Sequence, residues 1–462
     1  MNRIKKIIIT ATLPLFAASL WANEQADVQK EAEQLRKEIV DDLTKNILPF
    51  WAKHAPDPEG GFYGELTFAA KPVAGANKGG ILNARLVWTF STAYRLLGDE
   101  EYKVLADRAA SYFLAHFLDK EYGGVFWDLK SDGMPADMQK QSYVNAFGIY
   151  GLSEHFRATG NIESLKGAIS IYEALVKHAY DPVNGGFIEN FSREWVLPES
   201  LFAPKGMNNN LHVLEALTNL YRVWRDPELA QQLRRQIDVC ANKILDRKTW
   251  HENLYLTMDW QNLAHIDSYG HDIEFSWLLV EAAEVLGDEA VLADTRQCAV
   301  NIAEVQMKEA IEPEGYIKGE KNHNQQSFNF APPPQAQQQE LTGEQKKRME
   351  EMQAMMKASM EEQAKHGERL EWWPQAETVV GYVNAWQISG EKKYLDVAFN
   401  AWKWIKKYVV DYQYGEWYGN IYSDGTPVKE SQKASMWRCP YHNSRMGFEI
   451  ISRLTENGTI KH

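Results

Sequence analysis

Gly123-Gly124-Val125-Phe126-Trp127-Asp128 would pass for an ordinary loop if it stood alone, but the pattern returns along the chain. It stands at residues 60–65 as G-G-F-Y-G-E and at 185–190 as G-G-F-I-E-N, and in looser form as E-G-Y-I-K-G near 315 and Y-G-E-W-Y-G near 415. The first two steps are 63 and 62 residues, and the next is 130, two periods. W-H-E-N-L-Y-L-T-M-D-W at 250–260 stands where the missing marker belongs. Self-similarity at a fixed spacing is the sign of a repeated supersecondary unit. The last step, 100 residues, is longer than one period by about 37.

Between markers the apolar residues follow helical spacing. Leu82, Leu86, Phe90 and Tyr94 do so, as do Leu211, Leu214, Leu217 and Leu220, and Phe275, Leu278, Leu279 and Ala282. Each interval has room for two helices of about four turns and a short β-like loop. One helix before the first marker, two in each of five intervals and one after the last make six helical hairpins. The spacing therefore predicts an all-α fold, an (α/α)6 barrel with its glycine-aromatic loops gathered at one mouth and its inner helices supplying site residues. Residues 23–462 would form this one domain, with an open solenoid as the alternative.

The surplus residues fall in one place. Between 321 and 369 the sequence becomes low in complexity, with A-P-P-P-Q-A-Q-Q-Q-E followed by a Met/Glu/Lys/Gln run. The proline-glutamine part reads as loop. From Thr342 on, Met349, Met352, Met356 and Met360 at helical spacing predict an inserted helix that packs its methionine face near the mouth.

Composition narrows the function. A net charge of −13 lacks the basic footprint of a nucleic-acid binder. Arg3, Lys5 and Lys6, an apolar run from Ile7 to Leu20 and the small residue Ala22 read as a signal peptide over residues 1–22, so export to a periplasm is expected, with no membrane anchor after cleavage. Three cysteines, Cys240, Cys298 and Cys439, are too few for a disulfide framework. The 16 Trp and 21 Tyr fill core and also offer flat faces for sugar rings.

Several polar residues stand out against apolar helix patterns. His271 and Glu274, three apart in Y-G-H-D-I-E-F-S-W, share a helix face and predict an imidazole oriented by a carboxylate. Asn208 and His212 share a face of M-N-N-N-L-H-V-L-E-A. Arg85 interrupts the apolar run L-N-A-R-L-V-W, where a buried guanidinium needs an anionic or strongly polar partner. Trp372, Trp373 and Glu377 come from W-W-P-Q-A-E, and Trp437 and His442 from W-R-C-P-Y-H-N-S-R-M. All fall at the starts of successive odd-numbered helices in the six-hairpin scheme, hence at one end of the barrel. The three histidines and the glutamate have no familiar close ligand spacing, so no metal site is expected.

These segments, from Arg85 to Met446, together resemble the N-acylglucosamine 2-epimerase superfamily, and within it the cellobiose 2-epimerases. The resemblance implies an (α/α)6 barrel that epimerises or isomerises reducing sugars without metal or redox cofactor. It implies that His271 and His442 are the acid/base pair, that Glu274 supports His271, and that Arg85 stabilises an enediolate. Asn208, His212 and Glu377 would bind sugar oxygens, and Trp372, Trp373 and Trp437 would form the platform. The expected reaction interconverts glucose and mannose at the reducing end of a β-1,4-linked disaccharide. N-acylglucosamine 2-epimerisation and mannose aldose–ketose isomerisation are alternatives on the same enediolate. An inverting glycosidase acting through Glu274 and Glu377 is a remote one, as is an oligosaccharide-binding protein without activity. The partner is a small sugar, and the expected state is a monomer or weak dimer.

Overall fold

The computed structural model describes residues 26–323 and 357–454; the signal-like segment 1–22 lies outside them. Twelve helices form two concentric rings. The inner ring is α2 (Gly80–Leu97), α4 (Ser142–Thr159), α6 (Met207–Val223), α8 (Tyr269–Leu286), α11 (Trp372–Ser389) and α13 (Tyr441–Arg453). The outer ring is α1 (26–54), α3 (Glu100–Tyr112), α5 (Ile162–His178), α7 (Pro227–Val239), α9 (Glu289–Glu309) and α12 (Lys392–Trp404). Each inner helix packs on the next, and α13 packs back on α2, so the barrel closes.

Burial explains the division. In α2 every residue from Gly80 to Ala93 is buried, polar Asn83, Arg85, Thr89, Ser91 and Thr92 included, because an inner helix is walled on all sides. The outer helices bury a stripe only, as α5 does with Gly167, Ala168, Ile171, Tyr172 and Leu175. The helical patterns read at Leu82–Tyr94, Leu211–Leu220 and Phe275–Ala282 all belong to inner helices. The first helix is an outer one, however. The site segments therefore start the even-numbered members of the twelve, not the odd-numbered ones.

Inner helices pass to outer ones through two or three residues. Asp99, Asn161, Asp226 and Asp288 cap the incoming helix by accepting from its first free N–H groups. Outer helices return through long loops, three of them after a terminal π-turn (Phe113–Phe117, Cys240–Ile244, Ile405–Val409). All the long loops lie at one mouth, where the two or three residues before an inner helix pair with the following loop: 78–79 with 128–129, 140–141 with 190–191, 205–206 with 255–256, 266–268 with 320–322, and 369–371 with 420–422. A bridge from Leu66 to Ala434 completes the circle.

The glycine pairs are locked from the next repeat. A Cβ on Gly124 (φ +71°) would lie 2.6 Å from Trp195 Cζ2, and one on Gly186 (φ +71°) 2.5 Å from Trp260. Those indoles donate to Tyr122 O at 3.0 Å and Asn184 O at 2.9 Å. Beneath each of the first three markers a buried lysine bonds to an aspartate of the turn: Lys78–Asp57 at 2.7 Å, Lys140–Asp119 at 3.0 Å and Lys205–Asp181 at 2.7 Å. W-H-E-N takes the fourth marker's place, since Trp250 N donates to Asp246 O as Gly123 and Gly185 donate to Asp119 and Asp181.

The 321–369 segment is described only at its ends. Its last part holds a helix, α10 (357–366), on which Met360 is 69% exposed; the other stripe methionines, Met349, Met352 and Met356, lie outside the described residues. Met360 thus turns to solvent and does not join the core. The three cysteines are buried thiols. Among the described residues no helix is long and apolar enough to cross a membrane.

Candidate active site

Position within the inner helix decides what each residue does. The sixth residues of α2, α4, α6, α8 and α11 are Arg85, Phe147, His212, Glu274 and Glu377, which form a layer one turn below the mouth. The second residues of α4, α6, α11 and α13 are Tyr143, Asn208, Trp373 and His442, one turn higher. A cavity of about 450 Å³ opens above them. Its walls include Arg85, Asn208, His212, His271, Glu274, Trp372, Trp373, Trp437 and His442, nine of the ten residues expected from the sequence. Six inner helices begin here, and the positive ends of their dipoles favour negative charge at this spot.

The two histidines share one aromatic neighbour. His271 and His442 lie 4.7 and 5.2 Å from Trp373 between ring centroids, and Trp373 Nε1 is tied to Glu371 Oε2 at 2.6 Å. Trp373 is therefore a packing partner of both imidazoles as well as a wall. His271 Nδ1 meets Ser268 Oγ at 2.8 Å, and His442 Nδ1 meets Glu377 Oε1 at 2.7 Å. Each contact leaves Nε2 for the cavity.

This corrects two expectations. Glu377 does not reach the sugar cavity: it is wholly buried and shared among His442, Trp277 Nε1 at 3.0 Å and Arg445 at 2.6 Å. It positions His442. Glu274 is not bonded to His271 despite its spacing, because Arg445 captures it from α13. Its carboxylate lies 3.8 Å from His442 Nδ1. The His-x-x-Glu pairing forms instead at His212 and Glu215, 2.9 Å apart.

Arg445, with no role in the sequence reading, is the hub below the cavity. Its guanidinium bonds to Glu215 at 2.7 Å, to Glu377 at 2.6 Å, and to Glu274 and the Tyr441 hydroxyl. Glu274, Glu377 and His442 approach within 4.8 Å of one another, a spacing that fits a metal ion, but Arg445 already supplies the cation there. The same closeness rules against a glycosidase, whose two carboxyl groups stand about 5–9.5 Å apart and free to meet substrate.

Arg85 is buried and pairs with no carboxylate among the described residues. Its Nη2 donates to the Tyr143 hydroxyl at 3.0 Å and its Nη1 to Cys439 Sγ at 3.7 Å, and the guanidinium lies 4.2 Å over Phe147 and 4.4 Å over Tyr441. Rings and a hydroxyl solvate the charge without neutralising it, so it favours an anion in the cavity. Arg85 Nε, Asn208 Oδ1 and Trp372 Nε1 are buried polar atoms with no protein partner, as a site awaiting hydroxyl groups requires. Trp437 is 51% exposed at the rim, against Tyr143 at 5.7 Å and Trp127 at 5.9 Å, and presents a flat face outward.

Burial sets the proton inventory. It pushes the His271 imidazole down to about 4, against the pull of Glu274, and takes His442 well below its ordinary 6.5. Burial also raises Glu377, although Arg445 and Trp277 oppose it. Burial would raise Glu215 too, but Arg445, His212 and Tyr441 outweigh it and hold it at about 2. Both imidazoles are thus neutral bases in the free protein near pH 7. Three carboxylates around one guanidinium leave negative charge to offset an imidazolium once one forms.

Tyr143 and Arg445 were the residues missed. Tyr143 heads α4 as Asn208 heads α6, so aligning the inner helices would have found it. Arg445 is one turn beyond His442, but nothing local marks it.

The sequence model of the family described as N-acylglucosamine 2-epimerase matches residues 61–326 and 334–444. A cellobiose 2-epimerase of Bacteroides fragilis is 39% identical over 427 residues, covering 91% of this chain and 99% of that one. One from Ruminococcus albus is 34% identical over 424 residues, 90% and 98% of the two chains. The solved structure of the cellobiose 2-epimerase from Bacillus thermoamylovorans superposes with a TM-score of 0.78 at 31% identity, over 91% of this chain and all of that one.

Proposed function

Because the chain belongs to the N-acylglucosamine 2-epimerase family, we propose that it is a cellobiose 2-epimerase, which inverts C2 of the reducing-end sugar of a β-1,4-linked disaccharide. The observation that carries the reading is the pair of imidazoles, His271 and His442, that line one cavity and both contact Trp373, beside a buried guanidinium that has no carboxylate partner among the described residues.

Inversion at C2 requires an open-chain aldose, removal of the proton next to the carbonyl, and its return to the opposite face. His271 and His442 serve the two faces of a planar cis-enediolate, each through Nε2. Arg85, with the Tyr143 hydroxyl it holds, meets the oxyanion as charge develops on O1. His442 donates its Nδ1–H to the Glu377 carboxylate, so its Nε2 takes the proton and returns it, and Glu377 holds the imidazolium that forms in between. Asn208, His212 and Trp372 hold sugar hydroxyls, and Trp437 at the rim stacks the second ring. Trp373 packs against both bases, Glu274 balances the charge, and Glu377 acts behind His442.

In heavy water, cellobiose incubated with the protein should yield the glucosyl-mannose epimer with one deuterium at C2. His442→Asn and His271→Asn should each lower kcat by about 100- to 10,000-fold, the usual worth of a general acid or base. A ketose product, with label at C1, would assign an isomerase instead. Unchanged turnover in His442→Asn would overturn the mechanism.

Residues 1–22 support export to a periplasm, where cellulose- or mannan-derived disaccharides would be met. Amino-terminal sequencing of the exported protein should begin near Asn23.

A further inference from the structure

The fourth repeat breaks a rule that the first three keep. Two residues before the inner helix they place a lysine, Lys78, Lys140 or Lys205, whose ammonium is buried against the aspartate of the glycine turn. At the same offset before α8 the chain has Asp267, so a cation is replaced by an anion. Where Gly124 and Gly186 accept from the turn aspartate's N–H, the fourth loop has His251, paired with Asp246. The asparagine that anchors the marker from the inner helix, Asn145 or Asn210, becomes Asp272, which still accepts the matching N–H from Glu252 at 2.8 Å.

These three replacements meet. Asp272 Oδ2 holds His251 Nδ1 at 2.7 Å, and Gln306 Nε2 donates to the same oxygen at 2.9 Å. His251 is 6% exposed, and its Nε2 is aimed between Asp267 Oδ2 and Glu309 Oε2, 3.8 Å from each. Among the described residues it meets no acceptor at hydrogen-bond distance. The three ligand atoms lie within 4.8 Å of one another. His323 Nε2 is 2.5 Å from Asp267 Oδ2 on the other side.

We propose that His251, Asp267 and Glu309 form a divalent-cation site of the zinc type, outside the sugar cavity, which His323 completes by turning its Nε2 from Asp267 to the ion. Two imidazoles and two carboxylates make a donor set that suits zinc and neutralise its charge. A carboxylate gripping the far nitrogen of a ligating imidazole is the usual support of such a ligand, fixing its tautomer and turning its free lone pair inward. The ion takes over the duty of the lysine ammonium missing from this repeat. Its arrival breaks the contact of His323 with Asp267 and the 3.4 Å contact of Lys321 with Glu309. Glu309 and His323 are partly exposed, which leaves an entry path. The bound ion ties the strand Ile266–Ser268, which leads into His271, to the end of α9 and to the root of the 321–369 segment.

The test is zinc titration of the chelator-treated full chain by calorimetry, with X-ray absorption of the loaded wild type. One zinc per chain is expected, with at least a tenfold loss of affinity in His251→Gln and Asp267→Asn and none in Glu377→Gln. The absorption spectrum of the unaltered protein should show two imidazole nitrogens at about 2.0 Å. No stoichiometric binding, a shell of oxygens alone, or binding lost in Glu377→Gln but kept in the other two variants would overturn the proposal. The outcome is independent of the epimerase reading.

Discussion

Glu377 serves an imidazole and a guanidinium at once, and that double duty separates it from a residue that touches sugar. Glu377→Gln keeps the shape but removes the charge. A hydrogen bond to a charged group is worth roughly 1.5–3 kcal/mol, so kcat should fall about 10- to 100-fold with KM nearly unchanged; a rise in KM alone would return Glu377 to substrate binding. The histidines carry a pH signature. Burial favours their neutral forms, so between 6.5 and about 4 the unfolded chain binds protons that folded His271 refuses. Stability from this source is complete above pH 6.5 and declines as pH falls through that window, which denaturant titrations at several pH values would record. The acid limb of kcat/KM, which reports the free enzyme, should lie near 4 and not near 6.5.

Among elements, the lysine–aspartate pairs under the glycine turns are the most exposed to single changes. Lys140 and Asp119 are both buried at their side chains, so Lys140→Met strands a carboxylate that Arg193 alone then answers. Breaking a buried pair typically costs about 3–5 kcal/mol, and urea unfolding should show a loss of that order, smaller than for Lys205→Met, where no arginine shares Asp181. The elements also explain what sequence spacing could not decide. His212–Glu215 and His271–Glu274 have the same separation, yet only the first closes. The second glutamate is taken by Arg445, 171 residues away, and no local pattern carries that competition.

The whole barrel was legible because its repeat has a chemical cause. A glycine pair must stand wherever an indole from the next loop presses on the turn, so the period survives between helices of unrelated sequence. Ring closure was legible only as six hairpins with unlike ends; the contact that achieves it, α13 on α2, joins the two ends of the chain. That helix also carries Tyr441, His442 and Arg445. Ending the chain before Tyr441 should therefore abolish cooperative unfolding in calorimetry as well as activity, and not leave a stable ten- or eleven-helix remnant.

The two faces of the barrel differ in how much chain crosses them. On the face away from the cavity, consecutive helices are joined by two or three residues, sealed by caps such as Gly98 with Asp99 and Gly287 with Asp288. The long loops lie on the other, as do the described ends of the 321–369 segment. Variation by insertion is thus confined to the side where substrates enter, and new specificities can be tried there without reopening the core. The blunt face is correspondingly the place to anchor the molecule to a solid support, since attachment there leaves the entrance clear.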